Sequence, residues 1–209
     1  MGHEHAEIVI PPTTNVEAAL REVMESFRDE ETGEAEWWDY WCIGGRWQGD
    51  KLLASIDPDR LQAFFDELAA RKVTVSSVST PPLIGISPAS QIPGVDALWQ
   101  EMFPDRGSSC PLHQHAEIPD SAAICTVADV PERLQCHRLI IAALWKQGEK
   151  MVLKPCVMRA TELWNGVEYQ DTNFGGYVKP VLLECLAEPP RWWCKPEGDW
   201  LVVTVDSHN

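Results

Sequence analysis

The chain has 209 residues, 44% of them apolar, with 32 acidic against 17 basic residues and a formal charge of −15. That length suits one domain with its own core, without a disulfide or metal staple, and no apolar run approaches the ~20 residues of a membrane span. No Lys/Arg cluster offsets the negative charge, which disfavours direct nucleic-acid binding; the excess acid serves solubility, attraction to a basic protein partner, or imitation of nucleic-acid charge.

In chain order, His5 to Ile10 reads as a strand closed by Pro11-Pro12. Val16, Ala19, Leu20, Val23, Met24 and Phe27 follow at helical spacing, capped by Thr13, Thr14 or Asn15. An acidic loop, 29–36, leads into the most unusual stretch, Trp37-Trp38-Asp39-Tyr40-Trp41-Cys42-Ile43-Gly44-Gly45-Arg46-Trp47, which holds four of the ten tryptophans. It reads as two short strands or one bulged strand, with Gly44-Gly45 at the turn. Trp47 to Ile56 is expected to continue extended. Asp57-Pro58 then opens an amphipathic helix over Leu61 to Arg71, and Val73 to Val78 reads as a strand.

Residues 80–119 are rich in Pro, Ser and Gly and read as an insertion or extended surface excursion, with one short helix around Val95 to Met102. Ala122 to Val127 and Met151 to Met158 are expected strands. Leu134 to Trp145 and Val178 to Leu186 are each compatible with helix or strand, because a short apolar run carries no decisive period. Asn165-Gly166 suits a tight hairpin, and Trp200 to Val205 reads as a strand ending in Asp206-Ser207-His208. The predicted architecture is one α+β domain over 1–209: a mostly antiparallel sheet with helices packed on one side, plus the irregular insertion at 80–119.

Three constellations bear on chemistry. Arg46, beside two glycines and flanked by indoles, can present a fork to a carboxylate or phosphate, or pair internally with Asp39 or Asp206. Asp206 and His208 face one side of a terminal strand and His3 and His5 one side of the first; if those strands are neighbours, the four converge on a metal or a proton-transfer site. The bland alternative is a structural Asp–His hydrogen bond. Cys110-x-x-His113-x-His115, with Cys136-His137 further on, supplies zinc-type ligands, but at irregular spacing, which favours a polar surface loop with an exposed thiol over a closed zinc site. No Gly-x-Ser-x-Gly or phosphate-loop pattern occurs. The seven cysteines are expected to be mostly reduced, with Cys125, Cys156 and Cys185 as small core residues. Met1-Gly2-His3-Glu4-His5 lacks the basic-then-apolar pattern of an export signal, so a cytoplasmic location is expected.

The Trp38-to-Gly49 segment and the terminal Val203-Thr204-Val205-Asp206-Ser207-His208 together resemble a group of uncharacterised phage and prophage proteins with a W-D-W-Y-x-I-G-G-R-W-x-G segment and a V-D-C-H ending. Ser207 stands where that group has cysteine. The resemblance covers about the first fifty and last ten residues, brings no activity with it, and implies a mobile-element origin with the two end motifs adjacent in space. By analogy with phage accessory proteins, the leading expectation is a non-enzymatic, acidic, cytoplasmic protein of a bacterial host. It would bind and inhibit a host macromolecule, such as a basic nucleic-acid-binding defence protein, in an anti-CRISPR-like role, without membrane, nucleic acid or cofactor. Trp99, Trp192, Trp193 and Arg46 are its expected anchors. The alternative is a metal-dependent hydrolase or small anionic-ligand binder built from Asp39, Arg46, Asp206 and His208, with Cys110, His113 and His115 a further zinc candidate.

Overall fold

The computed structural model describes residues 3–28, 32, 38–71, 94–111, 119–160, 177–189 and 195–208. They form an α+β fold, with six strands in one curled, mostly antiparallel sheet and five helices. Strand β1 (His3–Ile10) lies between β4 (Arg138–Gln147), its parallel neighbour, and the antiparallel β6 (Leu201–His208); β5 (Lys150–Ala160) pairs antiparallel with β4. The outer edge of β6 is shared. Strand β2 (Tyr40–Ile43) pairs with its end near His208, and β3 (Ile124–Thr126) with its start near Leu201. Between them the Gly44 amide donates to the Thr204 carbonyl, so the edge changes hands at the Gly-Gly pair.

Period-two alternation sorts the side chains. Ala6, Ile8, Ile10, Ile140, Ala142, Val203 and Val205 face helix α1 (Val16–Glu25), which buries Leu20, Val23 and Met24 against them. The opposite face, with Val9, Leu139, Ile141 and Val202, is covered by α5 (Val178–Ala187) through Val178, Leu182 and Cys185. Helices therefore flank both faces, whereas the sequence pointed to one. A central strand covered on both sides needs a continuous apolar run, which is why Leu139 to Ala143 carried no period and why the strand alternative holds for β4. The α5 segment resolves as helix.

The expected strand from Trp47 to Ile56 is instead a 3-10 turn (Gly45–Trp47) followed by α2 (Asp50–Ala54). Gly44 and Gly45 both have positive φ, 70° and 53°, which turns the chain out of β2 before an extended run can start. Helix α3 (Pro58–Ala70) begins as anticipated, with Asp57 Oδ1 accepting from the amides of Asp59 and Arg60. It packs with α4 (Val95–Met102) around Phe64, Leu68, Leu98, Trp99 and Phe103. Residues 94–111 thus contribute to a second apolar cluster rather than a surface excursion. The tight hairpin seen is β4–β5, turning at Gly148 with φ 64°. The anticipated strand 73–78 and the Asn165-Gly166 turn lie outside the described residues. Cys156, expected as a reduced core thiol, is disulfide-bonded. No described helix is long and apolar enough to cross a membrane.

Candidate functional site

The antiparallel register of β1 and β6 sets His3 opposite His208, His5 opposite Asp206 and Glu7 opposite Thr204. Because side chains alternate, these six residues share one face, with Tyr40 and Cys42 of β2 beside His208 and Asp206. The face divides into a buried inner layer and an outer layer at the strand ends.

In the inner layer, His5, Glu7 and Thr204 are fully buried, and α2 lowers Asp50 and Lys51 onto them. The Lys51 ammonium donates to Glu7 Oε2 and to the Thr204 hydroxyl. Glu7 Oε1 also lies 2.8 Å from His5 Nε2 and accepts from the Thr204 hydroxyl at 2.7 Å. His5 Nδ1 approaches Asp50 Oδ2 at 3.3 Å, an ion-pair contact that falls short of hydrogen-bond geometry. The His5 ring stacks on Trp47, centroids 5.2 Å apart, and its backbone amide donates to His137 Nδ1. Two carboxylates, an ammonium and an imidazole are buried from bulk solvent together, an arrangement stable only while each charge keeps its partner.

Their titration follows. Burial opposes charging of His5, but Asp50 and Glu7 outweigh it and lift its pKa to about 9. Burial likewise opposes ionisation of Glu7, yet Lys51 and His5 hold it below the usual carboxylate range; for Asp50 burial prevails and the pKa rises. His137 goes the other way: burial, then His5 and Arg138, push it down to about 4. A raised imidazole stabilises the fold fully below its unfolded value of about 6.5 and loses that contribution as pH rises through about 9. A depressed imidazole loses its contribution as pH falls from about 6.5 to about 4, and Glu7 adds to the acid loss while Asp50 offsets part of it. Chemical denaturation between pH 4 and 9 is therefore expected to show maximal stability near pH 6.5, falling to either side. A plateau from pH 6.5 to 9 would mean that His5 is neutral in the fold.

The outer layer is solvent-accessible. His3 Nδ1 lies 2.8 Å from Asp206 Oδ1, and His208 Nδ1 lies 2.9 Å from Asp39 Oδ1. The two rings meet edge to face at 4.9 Å, with side chains about a quarter exposed. Each Nδ1 is thus committed to a carboxylate, which leaves both Nε2 atoms for other chemistry, the orientation general bases and metal-bound imidazoles share. Asp206, itself buried, also accepts from the Arg46 amide through Oδ2 at 3.0 Å. Gly45 makes this possible: a Cβ there would sit 2.4 Å from Asp206 Cβ. The Gly-Gly-Arg and Asp-x-His motifs consequently hold each other, through the Arg46 backbone. The Arg46 side chain is exposed and makes no ion pair with a described residue. Asp39 is held below the usual carboxylate range, chiefly by its bond to His208.

Asp39, Asp206 and His208 do come together, joined by His3, and Arg46 is tied to them through its backbone amide. Asp206 and His208 do not pair with each other; each serves a different partner. His5 does not join them, because it lies beneath in the inner layer. Among the described residues no three His, Cys, Asp or Glu side chains are grouped to hold a metal. Trp99 is corrected as a surface anchor: it is fully buried against Phe64 and Phe103, where α3 and α4 need a large apolar side chain. Trp192, Trp193, His113 and His115 lie outside the described residues. Cys110 is fully buried in the α3–α4 cluster, its amide donating to Asp96 at 2.7 Å, so its thiol is not on a surface loop. A thiol nucleophile finds no support at Cys136 or Cys42: burial raises both pKa values, aided at Cys42 by Asp206.

Glu7, Thr204, Asp50 and Lys51 were not singled out from the sequence. The available signal was polar residues at alternate positions, His3-x-His5-x-Glu7 and Thr204-x-Asp206-x-His208, in strands otherwise apolar. No known family model matches the chain, and no curated protein or solved structure is significantly similar to it.

Proposed function

We propose that the protein binds a small anionic compound at the outer layer, with His3 and His208 placed to move protons on it. The observation that carries this reading is the pair of adjacent imidazoles, each oriented by its own carboxylate, with one of those carboxylates also holding the amide of Arg46, whose side chain is exposed and without an ion-pair partner among the described residues. Arginine presents a planar fork suited to phosphate or carboxylate. Two imidazoles side by side can divide the roles of base and acid in hydrolysis or group transfer. The dyads' own carboxylates temper anion affinity, so Arg46 carries much of the attraction.

The competing reading is an acidic phage-type accessory protein that grips a basic host protein. It keeps the charge of −15 in its favour but loses Trp99 as an anchor. A salt-sensitive complex with such a partner would support it.

Calorimetric titration with inorganic phosphate, pyrophosphate and citrate tests the anion site. At least one is expected to bind, and Arg46→Ala to weaken it about tenfold or more, the scale of a lost charge-assisted hydrogen bond. Because the Arg46 side chain is exposed, the variant should unfold at the same denaturant concentration as the parent. Equal affinity in parent and variant would remove Arg46 from the site.

A further inference from the structure

We infer that the anion taken by the outer layer is a mononucleotide, with its base stacked on Tyr40. This deepens the anion-site reading and rests on it. Three features on one surface ask for three parts of a ligand. Arg46 and the two imidazoles supply positive or proton-donating groups for a phosphate. Asp39, with its side chain 64% exposed, offers a carboxylate where a simple anion site would exclude one. Its Oδ1 orients His208, yet a carboxylate has lone pairs to spare for a neighbouring pair of hydroxyls, such as those of a ribose.

Tyr40 is the third feature. It is the most exposed large apolar side chain among the described residues, at 63%. It is cross-strand partner to His208 in the β2–β6 register, next in sequence to Asp39, and on the dyads' face of the sheet. Other aromatics of this segment have structural work: Trp38 packs in the α1 core beneath Arg28, and the half-buried Trp47 stacks on His5. Tyr40 makes only a side-chain contact with Cys42 on its own strand, and its ring is otherwise exposed on the face that carries the dyads. An aromatic face in that position suits stacking on a planar heterocycle and is tolerant of which base it meets. Phosphate, vicinal hydroxyls and flat ring in one small ligand describe a nucleoside monophosphate.

The experiment measures dissociation constants of the full chain for AMP, GMP, CMP and UMP beside ribose 5-phosphate and inorganic phosphate. Nucleotides are expected to bind about tenfold or more tightly than ribose 5-phosphate, the scale of one base–aromatic stack. Tyr40→Ala should bring nucleotides to the ribose 5-phosphate level and leave inorganic phosphate unchanged, whereas Tyr40→Phe should keep the preference. Both variants alter an exposed side chain, so an unchanged thermal midpoint checks the fold. Phosphate binding without nucleotide preference, or a preference that survives Tyr40→Ala, overturns this inference and leaves the anion site standing. Absence of binding by every one of these anions overturns both.

Discussion

Replacing Lys51 with methionine is expected to cost about 3–5 kcal/mol of folding free energy, the scale for removing one partner of a buried ion pair. Methionine keeps most of the side-chain volume, so a cavity is not the cause. The cause is Glu7, fully buried, which would lose the ammonium that neutralises Oε2 and keep only His5 and the Thr204 hydroxyl. Thr204 would lose its ammonium contact as well. A double-mutant cycle separates charge from packing. Glu7→Gln together with Lys51→Met removes both members of the pair and should be less destabilising than the sum of the single changes. Urea denaturation at pH 6.5 gives all four values. Strict additivity would show that Lys51 and Glu7 do not act as a pair.

The second large effect is expected at Gly45. Gly45→Ala places a methyl 2.4 Å from Asp206 Cβ and 2.5 Å from Oδ2, and does so at φ 53°, where a side chain is already strained. The backbone strain alone is about 1–3 kcal/mol. The methyl must also push away the carboxylate that holds the Arg46 amide and His3, so about 2–4 kcal/mol of stability and anion binding should be lost together. Gly148→Ala is the control. Its φ is 64° but nothing lies within 4 Å of the added methyl, so it carries the strain without the clash. Equal losses at the two glycines would mean that close approach to Asp206 contributes nothing.

The two glycines also show where sequence reading stopped. A Gly-Gly pair signals a turn, but not its direction or what it approaches. Here it ends β2, starts a helical turn where an extended chain was expected, and admits a carboxylate 161 positions away from Gly45 (Asp206). The tryptophans were legible as unusual and not as to purpose. Trp38 and Trp99 are core residues, and Trp47 is a lid over His5. Hydrophobic residues crowd both cores and interfaces, and only the covering elements distinguish the two.

By itself the sequence determined the elements whose local signals agree: α1 and α3 from helical spacing and caps, and β1, β3, β5 and β6 from β-favouring apolar runs. It also placed Asp206 with His208, and His3 with His5, on shared faces, because alternation along a strand is a local property. Tertiary structure decided everything that depends on neighbours. It made β4 a strand, since coverage on both faces erases the period that would have identified it. It set β1 beside β6, turning two one-sided polar patterns into an Asp206–His3 contact across 203 positions. It sank His5 and Glu7 beneath α2 and left His3, His208 and Arg46 accessible. His3 and His5 are the same residue type on the same strand face, one accessible and one buried; desolvation by a helix arriving from elsewhere in the chain is what separates an ionic core from a site open to ligand.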